Sequence, residues 1–208
     1  MIQRQQLLNQ KVTFLLVFLF ITLWTLAAQG NSQLAIVAAA RAQIGRTLHY
    51  DGRYQVISYP NGDVPMVKGV CTDVVIRALR NALKMDLQQL VHEDMKTHFD
   101  CYPRIWGLHA PDTNIDHRRV PNLVVYFQRQ KWTVDITRDN ADYQPGDLVI
   151  CIVPPHLPHI MVVSDRKNDT GRPLVIHNIG AGVREEDRLF EFELTGHYRI
   201  DTASLAEK

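Results

Sequence analysis

The chain has 208 residues, 46% of them hydrophobic, and a formal net charge of +1. That length suits one core-forming domain, and the near-neutral balance excludes a general electrostatic attraction to nucleic acid or an anionic membrane. No internal repeat, low-complexity tract or Gly/Ser/Pro-rich linker divides the chain.

In chain order, Arg4 and Lys11 come first, then an apolar run from Val12 to Ala28 relieved only by Thr13, Thr22 and Thr25. Ala28-Gln29-Gly30 offers a small-x-small exit, so residues 1–30 are expected to be a secretory signal peptide. The run of 17 residues is at the short limit for spanning a bilayer, which leaves an uncleaved anchor over residues 12–28 as the alternative. Either way the remainder, 178 residues of net charge −1, is expected in the periplasm, free or tethered to the inner membrane. Three cysteines in an exported chain leave at least one thiol free or paired with another molecule. Cys101 and Cys151 can bridge, which leaves Cys71 unpaired.

Ser32 to Ile44 reads as a helix, capped by Asn31 or Ser32 and ended by Gly45. Arg53 to Tyr59 alternates loosely as a strand would, and Pro60-Asn61-Gly62-Asp63 reads as a turn. From Cys71 to Leu83 the apolar positions 74, 75, 78, 79, 82 and 83 repeat with helical period, giving one buried face. Further helices are expected over Leu87 to Phe99 and Val120 to Arg129. The pattern then changes to short runs at Gly146–Val153, His159–Ser164, Leu174–Ile179 and Leu189–Leu194, separated by turn residues, as antiparallel strands are. Helices first and strands afterwards predict an α+β fold, N-terminal helices packed on a C-terminal antiparallel sheet.

Gly69-Val70-Cys71-Thr72-Asp73 sets a cysteine at a helix start, where unpaired N–H groups and the positive dipole end favour a thiolate. Asp73 opposes this if its carboxylate turns back on the sulfur, and a core role is the commonest one for a free cysteine. The second half of the chain supplies Pro145-Gly146-Asp147 leading into a strand, then Pro158-His159 opening another, then His177-Asn178 on the next. Cys71 as nucleophile, His159 as base and His177 or Asn178 as orienter make a thiol triad by role.

That order of Cys at a helix start, Pro-Gly-Asp before a strand, His opening a strand and a polar residue on the following one resembles the NlpC-type branch of papain-like cysteine peptidases. The resemblance implies a papain-like fold and cleavage of peptidoglycan peptides. It also gives Tyr59 a role at the oxyanion. The branch usually has Asp before the cysteine and Ser-Gly after it; Val70 and Thr72-Asp73 stand there instead. Over nearly the whole chain beyond residue 30, GDVP, GVCTDVVIRALR, LVHEDM, NIDHRRVPNL, PGDLV, HNIG-x-G and GHYR resemble the YijF-like family of exported bacterial proteins, which bears on fold and location more than on a reaction.

Asn114 to Arg119 concentrates charge; the plain reading is a solvated loop, the functional one an Arg118/Arg119 fork for a substrate carboxylate. His92-Glu93-Asp94 lacks the second histidine of a metalloprotease helix. His156 and His159 with Cys71 or His177 have zinc-like spacing, but no HExxH or paired CxxC accompanies them, so no metal is expected. Glu185-Glu186-Asp187 reads as a hairpin-end charge cluster, Gly180 and Gly182 as turn formers, and Gly196 to Arg199 as the close of the last strand. The expected function is hydrolysis of an amide, in cell-wall peptides or a related substrate, through a thioester and without a cofactor. A non-catalytic envelope binding module, or an acyltransferase using the same residues, are the alternatives.

Overall fold

A computed structural model describes residues 30–201. Residues 33–200 form one compact unit; residues 30–32, which are helical, and 201 fall outside it. The expected signal segment lies outside the described residues but for Gly30, and among those described no helix is long and apolar enough to cross a membrane.

The first helix, α1, covers 33–41. Two short strands, β1 (His49–Tyr50) and β2 (Lys68–Gly69), pair in parallel and lead into α2 (Cys71–Leu83). Helices α3 (Leu87–His98) and α4 (Val120–Arg129) follow. The second half is a five-stranded antiparallel sheet of β3 (Leu148–Val153), β4 (Leu157–Lys167), β5 (Pro173–Asn178), β6 (Val183–Glu186) and β7 (Glu193–Tyr198). Its spatial order is β6-β5-β4-β3-β7.

Strand alternation divides the sheet into two apolar faces. Val149, Cys151, Met161, Val163 and Val175 form one cluster with Tyr143 and Leu189, and Phe190 and Phe192 pack against it. The intervening Leu148, Ile150, Ile160, Val162 and Ile176 are buried on the opposite face, where α2 packs on β4 and β5 and α4 on β4. Burial on this scale, about 25 cal/mol per Å² of apolar surface, is the main term holding the helices to the sheet. Mixed helices on an antiparallel sheet are therefore observed, and α2 and α4 keep the bounds their periodicity implies.

Three expectations are corrected. Residues 53–59 form no strand: the segment alternates in exposure but has no ladder partner, and the Ile57 N–H goes instead to Asn114 Oδ1 at 2.9 Å. The last strand starts at Glu193, because Leu189, Phe190 and Phe192 fold under the sheet as a loop. Cys101 and Cys151 are not bridged; Cys101 is exposed beside α3 and Cys151 lies in the core of β3. The turn reading of Gly182 stands, since its φ is +82° and a Cβ there meets the Thr47 carbonyl oxygen at 2.6 Å.

Candidate active site

The helix start that carries Cys71 is built by a buried carboxylate. Asp73 accepts the Val70 N–H at 2.7 Å, in the manner of a capping-box acid. Its two oxygens also take Arg118 Nε at 2.8 Å and Nη2 at 2.9 Å. Thr72 Oγ1 donates to the Arg118 carbonyl oxygen at 2.9 Å, so the α2 tip and the Arg118 loop are tied twice. Behind them the buried Arg77 grips Asp63 and the carbonyls of Val64 and Lys68, fixing the loop that ends in β2. Gly69 leaves room for this pair: a Cβ there meets Asp73 Oδ2 at 3.0 Å. Asp73 is thus engaged by Arg118 and the helix start, although its charge still adds to the rise of the thiol.

The sheet supplies the other half. The β4–β5 ladder ends at Val162 and Ile176, while β4 continues back to Leu157 along β3. Where the strands part, the N–H of Ile160 is directed to the Cys71 sulfur, as are those of Thr72 and Cys71 itself. Burial nevertheless dominates and pushes the Cys71 thiol from 9.0 up to about 11. Desolvation thus opposes the thiolate that the N–H groups of the helix start favour.

His159, next to Ile160, points its Nε2 at His177 Nδ1, 2.9 Å away, with the rings edge to face. Its Nδ1 has no hydrogen bond among the described residues, and none there joins it to Cys71. Burial draws His159 from 6.5 down to about 3 and His177 down to about 4, so both rings are neutral at pH 7. His177 Nε2 lies 3.2 Å from Glu186 Oε2, and Arg188 Nε is 3.3 Å from the same oxygen.

Cys71 lies at the edge of a cleft of about 540 Å³, lined also by Tyr50, Tyr54, Trp106, Arg118, Arg119 and Pro158. The sequence reading is revised at four points. Tyr59 sits edge-on to His92, with ring centroids 5.2 Å apart, and does not line the cleft. Tyr50 does, and its phenol is pushed up to about 12 by burial, then by Cys71 and Asp73. Asn178 is a staple, donating to the carbonyl of Gly69 at 3.0 Å and of His49 at 3.4 Å. Arg118 cannot offer a two-pronged grip, because two of its nitrogens are held by Asp73; its buried Nη1 is left without a partner. Arg119 pairs with Asp116 at 3.1 Å and lies over the Trp106 ring at 4.1 Å, within the cleft wall. Among the described residues no group of three or more His, Cys, Asp or Glu is arranged to hold a metal. Tyr50 carries no signal in the sequence, and Glu186 reads there only as part of a charge cluster, since their partners come from distant segments; the pairing of β1 with β2 brings Tyr50 beside the α2 tip.

Residues 37–200 match the family model described as "Domain of unknown function (DUF1287)". The chain is 56% identical over 171 residues to "Uncharacterized protein YijF" of Escherichia coli (strain K12), covering 82% of this chain and 83% of that protein. No solved structure matches.

Proposed function

From the premise that this chain belongs to the DUF1287 family, we propose that it is an exported cysteine hydrolase of papain-like architecture that cleaves an amide bond in cell-wall peptides. One observation carries this reading. The Cys71 sulfur, on the wall of a cleft, takes the N–H of the residue next to His159, while His177 holds the far nitrogen of that histidine.

The chemistry starts from a neutral thiol and a neutral imidazole. Cys71 Sγ attacks the amide carbonyl carbon as its proton passes to His159 Nδ1. The oxyanion is received by the Cys71 N–H at the helix start, with Tyr50 in the part that the resemblance gave to Tyr59. The C–N bond breaks as His159 returns the proton to the leaving amine. Water then attacks the thioester, giving a proton to His159; the C–S bond breaks, His159 returns that proton to the sulfur, and the carboxylic acid product leaves and loses its proton to solvent. Arg119 and Trp106 offer a cationic and aromatic wall for an acidic peptide. Acyl transfer follows the same steps with an amine in place of water.

A binding module on the same shell is the second reading, favoured by the burial that lifts Cys71 to about 11. Incubating the protein lacking residues 1–30 with isolated sacculi and analysing the supernatant by mass spectrometry separates them. Fragments released by the wild type and not by Cys71→Ala support hydrolysis. Equal release by both variants ends it, and sedimentation with sacculi without any release favours the binding module. N-terminal sequencing of the periplasmic fraction tests export, which fails if the protein stays in the cytoplasm.

A further inference from the structure

His177 Nε2 is a fully buried ring nitrogen with no aligned hydrogen bond among the described residues, yet it stands 3.2 Å from Glu186 Oε2. Glu186 ends β6 opposite Val175, in register two pairs from the His177–Arg184 pair and so on the same face as His177, and Arg188 and Arg184 approach it at 3.3 and 4.0 Å. In the sequence this carboxylate looks like part of a hairpin-end charge cluster without duty. Its position implies more.

We infer that Glu186 is a positioning residue that sets the tautomers of His177 and His159, and so decides which nitrogen of His159 is free to accept a proton. The inference rests on the hydrolase reading for its consequence, but not for its geometry. Two neutral imidazoles carry two protons on four nitrogens, and the 2.9 Å contact between His159 Nε2 and His177 Nδ1 holds one of them. A lone pair on His177 Nε2 is repelled by a carboxylate, whereas an N–H is attracted, so Nε2 carries the other ring proton. His177 Nδ1 is then bare and accepts. The shared proton belongs to His159 Nε2, and His159 Nδ1 presents a lone pair. Without the carboxylate the opposite pattern becomes available: His177 Nδ1–H donates to His159 Nε2, and His159 Nδ1 carries a proton and cannot act as a base. When His159 accepts the thiol proton, the imidazolium faces His177, whose ring is polarised by Glu186, and no second proton moves.

The groups around the pair are His159 from β4, Arg184 and Glu186 from β6, and Arg188 just beyond it. The burial that keeps both rings neutral supplies the proton count on which the argument turns.

The experiment is two-dimensional ¹⁵N–¹H NMR of the imidazoles at pH 7, on wild type and Glu186→Gln, with His177→Gln to assign the signals. In wild type the expected result is an Nε2–H tautomer for both rings. In Glu186→Gln a shift toward Nδ1–H is expected, with kcat lowered at least about tenfold and KM little changed. An Nδ1–H tautomer on His159 in wild type overturns the inference, as do unaltered tautomers and kcat in Glu186→Gln. Should Glu186→Gln fail to fold, the wild-type tautomer alone decides. Correct tautomers in a protein that releases nothing from sacculi would leave this geometry standing and remove the hydrolase.

Discussion

The sheet carries two buried histidine clusters, and their difference separates structure from chemistry. At the β3–β7 side, His197 meets Asp147 Oδ2 at 2.8 Å through Nε2 and the Asp135 carbonyl at 3.0 Å through Nδ1. Arg199 grips the same Asp147 at 2.8 and 2.7 Å, and the ring stacks on Tyr143 at 4.4 Å. Both ring nitrogens of His197 are occupied. At the β4–β5 side, His159 is held from one nitrogen only, beside an N–H that points at a cysteine on a cleft wall. A buried histidine next to a carboxylate is common scaffolding. The feature that points to chemistry is a ring nitrogen without a hydrogen bond among the described residues, one residue from the N–H directed at the Cys71 sulfur.

The largest expected contrast between the clusters is in turnover. Cys71→Ala and His159→Gln should each lower kcat by about 10³-fold or more, measured as fragment release, while His197→Gln leaves the chemical step within a few fold. Equal losses at the two histidines would erase the distinction. The next contrast runs the other way, in stability. Asp147→Asn strands a buried histidine and an arginine, and breaking such a pair costs about 3 kcal/mol or more by urea unfolding. Arg118→Leu should cost a similar amount through Asp73, and not the selective rise in KM expected of a substrate fork. A raised KM at full stability would restore that role.

The acid limb gives a third test. His159, His177 and His117 have folded values of about 3, 4 and 4, below the ordinary 6.5, with burial the first cause in each. Between those values and 6.5 the unfolded chain binds more protons than the folded one, so stability rises with pH there. It is complete above 6.5 and is lost as pH falls toward 3. The expected loss by pH 4 is on the order of 2 kcal/mol or more, and His159→Gln should flatten it; an unaltered slope would mean that the ring is not buried neutral. The smallest effect separates two tyrosines. Tyr50→Phe should lower kcat by about threefold to tenfold, the worth of one hydrogen bond, and Tyr59→Phe should leave it unaltered. The reverse order would return the oxyanion role to Tyr59.

These contrasts also mark what the sequence discloses. The helix from Cys71 to Leu83 is legible because one apolar face repeats without interruption, and β3 to β5 are legible because both of their faces are buried. Strand β6, Val-Arg-Glu-Glu, is hidden by its charge, which belongs to an edge strand whose side chains reach Arg41, Arg166 and His177. Residues 53–59 misled because alternation implies a pleat, and a pleat needs a partner. The roles of Cys71, His159 and His177 could be proposed from their order along the chain. Tyr50 and Glu186 could not, since only the tertiary fold brings β1 to the α2 tip and β6 to β5. The resting state of the thiol also escaped, because a helix start is visible in sequence and the depth of burial is not.

The central claim is that the sulfur of Cys71 becomes acylated. Wild-type protein mixed with peptide fragments of sacculi, quenched in acid within the first turnover and digested, should yield the Cys71 peptide carrying the mass of the acyl fragment. That adduct should be absent from His159→Gln. An unmodified Cys71 peptide in a reaction that still releases product would contradict the account.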